Sequence, residues 1–350
     1  MRVVVTGATG NVGTSLLAAL SRDPGVESIV GLARRRPLLE MAKVAWSQAD
    51  VRRSDLAAQF RGADAVIHLA WLIQPSHDRD ELRSTNVDGS ERVFEAVAEA
   101  GVPVLAYASS VGAYSPGPKD RAVDESWPTE GIESSFYSAD KAAVERILDE
   151  FERRHPAIRV VRLRPGLIFK REAATGIRRL FAGPLIPSPL VDRRLIPIVP
   201  DLPRLRFQAV HSRDVGEAFR LAVTREAAGA FNIAADPVLD PQRLGAILNA
   251  RPVQVSSRSL RTLVAASWRA HFQPTPEGWL DLALAVPILD TSRARAELGW
   301  EPSSGADEAL LELLEGIRDG AGLQTPPLDP ATSGRLRIRE LRTGVGSRPL

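Results

Sequence analysis

Cysteine is absent from this 350-residue chain. That excludes a disulfide framework, a thiolate nucleophile and a cysteine-ligated zinc or iron–sulfur site, and it fits a reducing compartment. Histidine is scarce, five in all, and none of them stands in a paired ligand spacing such as His-x-x-x-His, so no metal site is expected. No apolar run approaches the length of a membrane span. The strand-like Val3 to Thr6 begins so early that no secretory leader is expected ahead of it. Charge of one sign is also lacking, since 45 basic residues meet 43 acidic ones. The only local basic cluster, Arg335, Arg337, Arg339, Arg342 and Arg348, reads as a solvated tail. The expectation is a cytoplasmic protein that handles a small molecule and has neither nucleic acid nor membrane as partner.

Tyrosine and lysine are nearly as rare, three and four in the whole chain, yet Tyr137 and Lys141 stand four positions apart. Chance would produce that spacing in only roughly 3% of chains with so few of each. On a helix the two side chains share a face, where an ammonium stabilises a phenolate and makes tyrosine a usable acid or base near neutral pH. Such a group suits proton transfer at a carbinol oxygen.

Apolar, β-branched runs alternate with amphipathic stretches through the first half. Strands are expected at Arg2 to Thr6, Glu27 to Leu32, Val44 to Gln48, Ala65 to Leu69, Val104 to Ala108 and Ile158 to Leu163. Between them, helices are expected at Val12 to Leu20, Leu56 to Phe60, Glu91 to Ala100 and Lys141 to Arg154. The alternation predicts an α/β fold, a doubly wound parallel sheet of Rossmann type over residues 1–165. A smaller C-terminal substrate-binding subdomain is expected over 166–325, with a segment at about 207–235 returning to the sheet, and a tail over 326–350. The proline-dense stretch from Phe181 to Pro203 predicts irregular loop that shapes a pocket wall. Further strands are expected at Phe207 to Val210 and Ala230 to Ile233, and helices at Asp214 to Val223, Pro241 to Asn249, Ser259 to His271, Ser292 to Leu298 and Ala306 to Ile317.

Gly7, Gly10 and Gly13 fall directly between the first strand and the first helix, in TGATGNVG. Glycines there permit a tight turn and let the amides around Asn11 and Val12 approach a pyrophosphate at the positive end of the helix. The acidic residue that commonly selects against a 2′-phosphate is missing about twenty positions on, where Ala33 is followed by Arg34, Arg35 and Arg36. A guanidinium, Arg34 first, suits such a phosphate. NADP(H) is therefore the favoured cofactor, with NAD(H) possible.

Together these motifs resemble the extended short-chain dehydrogenase/reductase superfamily, the NAD(P)-dependent epimerase/dehydratase family, from TGATGNVG to LGWEP at Leu298 to Pro302. The resemblance implies that Asp50 and Val51 contact the adenine, that Leu69 and Ala70 in HLAW line the cofactor, and that Asn86 holds its nicotinamide side. It also implies that Ser110, four before Tyr114, joins Tyr137 and Lys141 as the catalytic set. LRPG at Leu163 to Gly166, VHSRDVGEAF at Val210 to Phe219 and FNI at Phe231 to Ile233 match the family's second half.

Departures narrow the chemistry that the resemblance implies. Dehydratases similar to this group carry Asp-Glu right after the active-site Ser or Thr, where this chain has Val111 and Gly112. Many sugar-nucleotide epimerases carry asparagine and glycine where this chain has Leu167 and Ser115. Leu180, Phe181, Leu185, Ile186, Leu190 and Ile196 suit a less polar substrate. Net alcohol/carbonyl redox is the leading expectation. An epimerase that retains NAD is the alternative, and a non-catalytic cofactor-binding module is the third. His68 and His211 are expected to pack or hydrogen-bond at strand ends, and His77, Asp78, Arg79 and Asp80 to form a polar loop. The family further implies a homodimer through the helices at Val93 to Ala100 and Ala142 to Phe151.

Overall fold

The computed structural model describes residues 1–73, 78–181, 197–270 and 275–330. Seven parallel strands form the main sheet in the spatial order Gly229–Ile233, Arg159–Pro165, Val104–Ala108, Ala65–His68, Arg2–Thr6, Ser28–Ala33 and Val44–Gln48. The chain leaves Arg2–Thr6 toward one edge and resumes at Ala65–His68 toward the other. This reversal opens a crevice at the carboxyl ends of those two strands, the place where open α/β sheets bind ligands.

Both faces of the sheet are covered, which explains why its central strands read as unbroken apolar runs. The helices Asn11–Arg22 and Ser212–Thr224 lie on one face, where Leu16, Leu20, Phe219 and Trp300 are buried. On the other face lie Leu56–Phe60, Gly89–Glu99 and Phe136–Arg154, with Phe60, Phe94, Leu148 and Phe151 inside. Val93, Val97 and Val144 belong to this buried face. The apolar residues expected to form a dimer surface are thus sheet-facing core, and the same helices turn Glu91, Glu95, Arg146, Glu150 and Arg154 outward together with Ala143 and Ile147.

The second half departs from expectation in several respects. Of the segment 207–235, only Gly229–Ile233 extends the main sheet, whereas Phe207–His211 pairs with Leu167–Phe169 and Ala235–Leu239 in a separate three-stranded sheet. The intervening helix Ser212–Thr224 is docked along the first helix, with the Ser15 and Ser212 hydroxyls 2.9 Å apart. Helix Ala306–Asp319 closes the small sheet with Leu310, Leu313 and Ile317. The helix Glu277–Ala285 had no expected counterpart. Ser292 to Leu298 contains a wide π-type turn at Ala294–Leu298. Within the proline-dense stretch, Ile198–Asp201 is a short strand paired with Arg251–Gln254. The pocket-wall side chains Leu180, Phe181, Leu185, Ile186, Leu190 and Ile196, as well as His77, His271 and the five tail arginines, lie outside the described residues and side chains. No helix among the described residues is long and apolar enough to cross a membrane.

The LGWEP motif is a structural anchor. Trp300 is fully buried and its indole N–H donates to the Asp214 carbonyl at 2.8 Å, while Ser303 donates to the Asp214 carboxylate at 2.5 Å. Trp300→Ala is expected to cost about 3–5 kcal/mol through the lost burial and the cavity left behind. A urea midpoint within error of wild type would contradict this anchor role.

Candidate active site

The glycine loop sits at the crevice for a steric reason. Gly7 has φ +67°, and a Cβ there would lie 2.6 Å from the Ala70 amide nitrogen. Only glycine lets the turn after the first strand press against Leu69 and Ala70 at the end of the fourth. A Cβ on Gly13 would fall 2.5 Å from the Gly7 carbonyl oxygen, so the helix starts hard against the turn. Asn11 donates its side-chain amide to the Ile168 carbonyl at 3.2 Å, and its Oδ1 is buried without a partner among the described residues. Beneath the loop Thr6 Oγ1 lies 2.7 Å from His68 Nδ1, and His68 Nε2 lies 2.9 Å from Ser90 Oγ. Burial, reinforced by the Lys141 charge, lowers the His68 pKa to about 3, so this histidine is a neutral bridge at a strand end.

The crevice beside the ends of the second and third strands is strongly charged. Burial tends to raise the Asp50 pKa, but hydrogen bonds and charge from Arg52 outweigh it and hold the carboxyl below its usual range. Arg52 grips that carboxylate with Nη2 at 2.9 Å and Nε at 3.1 Å. Arg34, Arg35 and Arg36 are all exposed at the end of the second strand. Val51 is buried beside Gly89. Asn86 occupies a π-helical turn, Ser84–Asp88. Its Oδ1 accepts from the Leu72 amide at 2.7 Å and its Nδ2 donates to the Leu72 carbonyl at 3.0 Å. Asn86 therefore braces the loop that carries Leu69 and Ala70, and its amide group is already paired.

Ser110, Tyr137 and Lys141 come together at the carboxyl ends of the neighbouring strands. Ser110 follows the strand Val104–Ala108, and its Oγ accepts from the Gly112 amide at 2.9 Å. Helix Phe136–Arg154 begins before the expected Lys141 and carries Tyr137 in its first turn and Lys141 one turn later. Ser138 fastens the two segments by donating to the Gly112 carbonyl at 2.5 Å and accepting from the Ile132 amide at 2.7 Å. A Cβ on Gly112 would lie 2.8 Å from Tyr137 Cε1, so a glutamate side chain at that position would collide with the phenol ring.

The titration balance differs from the simple expectation. Burial pushes the Tyr137 phenol up to about 12, against a smaller lowering by its hydrogen bond with Ser110. The lowering expected from Lys141 does not appear, because that ammonium points elsewhere. It donates to the Ala108 carbonyl at 2.7 Å and lies 3.4 Å from the centroid of the Trp71 ring. Burial also drives the Lys141 pKa well down, opposed by Glu145 and Asp140. Two indoles flank the phenol: Trp279 stacks on it at 5.0 Å and Trp71 meets it edge-on at 6.1 Å.

Glu145 was not anticipated. It lies four positions beyond Lys141, fully buried, and its spacing along the helix was the available signal. Ser109 donates to it at 2.5 Å, Arg162 at 2.9 Å, and Arg164 through Nε and Nη2 at 2.9 Å each. Trp279 left no signal, since its helix went unrecognised. The Asp78 to Asp80 cluster is structural: Asp78 caps Arg79–Arg83 by accepting from the Glu81 amide at 2.9 Å, and Arg79 lies 4.2 Å from the Phe136 ring centroid. His211 likewise caps the helix Ser212–Thr224, its Nδ1 accepting from the Arg213 amide at 3.0 Å. Among the described residues, no group of three or more His, Asp or Glu is arranged to hold a metal ion.

A glycine loop at the switch point of a seven-stranded parallel sheet, with a serine, a tyrosine and a lysine beside it, defines a dinucleotide-binding α/β protein. The chain belongs to the NAD dependent epimerase/dehydratase family, whose model matches residues 3–234. An uncharacterized protein of Mycobacterium tuberculosis is 28% identical over 326 residues, covering 92% of this chain and 31% of that protein, so this chain spans about a third of its length. The UDP-glucose 4-epimerase of Mycolicibacterium smegmatis is 27% identical over 340 residues, 91% of this chain and 99% of that one. The structure of the UDP-glucuronic acid 4-epimerase of Bacillus cereus in complex with NAD gives a TM-score of 0.67 at 17% identity, over 91% of this chain and 99% of that one, a likeness of fold.

Glu145 sets a pH dependence of stability. Burial alone would raise its pKa, but hydrogen bonds and charge from Arg164, with Arg162 and Ser109, hold it at about 2, below the ordinary 4.5. A depressed carboxyl stabilises the fold above its unfolded pKa and loses that contribution as pH falls toward the folded value. Glu145→Gln is expected to cost about 3–5 kcal/mol at pH 7, because Arg164 loses its buried counter-charge and Arg162 keeps only Asp149 and Glu152. The deficit should shrink between pH 4.5 and 2. Denaturant midpoints at several pH values measure it, and a deficit independent of pH would refute the ion-pair account.

Proposed function

We propose that this protein is a nicotinamide-dependent oxidoreductase acting on the alcohol or carbonyl carbon of a small molecule. The observation that carries the reading is the convergence of Ser110 and Tyr137 at Gly112, where a Cβ would lie 2.8 Å from Tyr137 Cε1 and 3.3 Å from Ser110 Oγ, with Lys141 one helical turn beyond Tyr137. The glycine loop fits a dinucleotide because its turn and helix start leave bare backbone to face a pyrophosphate. A bound nicotinamide supplies the hydride acceptor or donor.

The chain's own groups handle the proton and the oxygen. Ser110 hydrogen-bonds the substrate oxygen, and Tyr137 gives that oxygen its proton during reduction or takes it back during oxidation. A phenol held near 12 is protonated at neutral pH, the form needed to donate. Lys141, one turn along the same helix, offers donors to the nicotinamide ribose. Trp71 and Trp279 flank the phenol ring. Dehydration is disfavoured by the contact between Gly112 and the Tyr137 ring, which leaves no room for a second acid. Tyr137→Phe is expected to retain cofactor affinity and lose roughly a hundredfold or more in turnover. Near-normal turnover would remove Tyr137 from the chemistry.

For the cofactor, NADP(H) is favoured over NAD(H). Arg34 is exposed beside Asp50, whose carboxylate Arg52 already neutralises. Arg34→Ala should weaken NADPH binding about tenfold, the scale of one lost charge-assisted contact, and leave NADH almost unchanged. Equal losses for both by calorimetry would argue against this role.

The second reading is an epimerase that retains NAD and acts on a nucleotide sugar, supported by the likeness along nearly the whole Mycolicibacterium smegmatis enzyme. Mass spectrometry of ligands released from purified protein separates the two. Tightly held NAD supports epimerisation, whereas empty protein that consumes added NADPH supports net redox. Turnover with any carbonyl or nucleotide sugar removes the third reading, a non-catalytic module. A homodimer through the outer faces of Gly89–Glu99 and Phe136–Arg154 completes the proposal, and sedimentation showing only monomer at micromolar concentration would oppose it.

A further inference from the structure

The family match ends at residue 234, yet a residue far beyond it reaches the phosphate loop. Thr325 is 1% exposed and donates its hydroxyl to the Thr9 carbonyl at 2.9 Å, across 316 positions of chain. The segment that carries it is a compact knot following the helix Ala306–Asp319. Leu328 and Asp329 donate their amides to the Thr325 carbonyl at 3.0 and 2.9 Å, and Leu323 donates to the Leu328 carbonyl at 3.1 Å. Leu328 is buried.

The carbonyl that Thr325 holds is not a neutral choice. Thr9 C=O and Gly10 N–H belong to one rigid peptide plane and point in opposite directions. Gly10 N–H donates to the Gly7 carbonyl at 3.1 Å, within the glycine turn. The plane is thus held at both ends, by the turn on one side and by Thr325 on the other. The next three amides, of Asn11, Val12 and Gly13, open the helix and have no acceptor within it. Thr14 is the first to bond back, to the Gly10 carbonyl at 3.1 Å. Rotation of the Thr9–Gly10 plane would re-aim those three free amides, the groups placed to meet an anion at a helix start. On the far side Lys170 braces the same turn of helix through the Asn11 carbonyl at 2.9 Å and the Thr14 hydroxyl at 2.6 Å. The loop is therefore clamped from two directions, and one clamp comes from outside the family's matched region.

We propose that the C-terminal knot around Thr325 is part of the cofactor site, and that Thr325 is a positioning residue that fixes the phosphate loop for a dinucleotide's pyrophosphate. The proposal rests on dinucleotide binding at this loop. The test compares wild type, Thr325→Val and Thr325→Ser by calorimetry with NADH, NADPH and ADP-ribose. Adenosine, which has no phosphate, serves as the control ligand. Thr325→Val keeps the shape and removes the hydroxyl. It is expected to weaken all three phosphate-bearing ligands about fivefold, the scale of one neutral hydrogen bond, and to leave adenosine unchanged. Thr325→Ser should restore wild-type affinity, and the KM for cofactor should rise in Thr325→Val while kcat holds. If the valine variant does not fold, Thr325→Ala takes its place. Wild-type affinity for ADP-ribose without the hydroxyl, or an equal loss for adenosine, would overturn the proposal. A wild-type protein that binds no dinucleotide would overturn the underlying reading instead.

Discussion

One buried carboxylate organises the site. Glu145 carries a charge in the interior only because Ser109, Arg162 and Arg164 surround it with donors. Those donors come from the strand Arg159–Pro165 and from the residue next to Ser110, while Glu145 itself belongs to the helix of Tyr137 and Lys141. Directional, charge-assisted bonds in a low-dielectric interior leave little freedom to slide. They fix the helix in register against two strand ends.

Burial dominates the titrations around this anchor, with a different result for each group. Tyr137 stays protonated, His68 stays neutral, and Lys141 is destabilised as an ammonium. Glu145 escapes the trend because its partners are cations in contact. Lys141 has a carbonyl and two aromatic rings instead, Trp71 and Tyr107, which offset desolvation less completely. The helical spacing of Tyr137 and Lys141 ensures a shared face, but rotamer and neighbours decide where the ammonium points.

Close approach is the second constraint. Gly7 brings the loop against Ala70, and Gly112 brings the Ser110 turn against the phenol ring. In both places the missing Cβ is what the geometry needs. The glycine at 112 thereby seats the tyrosine ring. Asn86 and Ser138 then act as braces, each tying a loop of the site to a helix start.

Much of the fold was legible because its signals are local. Continuous apolar runs announced the strands of the main sheet, the glycine triplet announced the turn at the switch point, and the Tyr137–Lys141 spacing announced a shared helical face. The helix Glu277–Ala285 and the strands Leu167–Phe169, Ile198–Asp201, Ala235–Leu239 and Arg251–Gln254 were not legible, since each is too short or too weakly periodic to stand out from its surroundings. The amino-acid order by itself determined the βα alternation, the bare backbone of the phosphate loop and which titratable groups share a helix. Only tertiary structure decided that Trp71 and Trp279 enclose the phenol, that Asn86 is bound to Leu72, and that Thr325 reaches Thr9. Those outcomes depend on desolvation and on partners brought from distant segments, and a contact across hundreds of residues leaves no periodic trace in the chain that makes it.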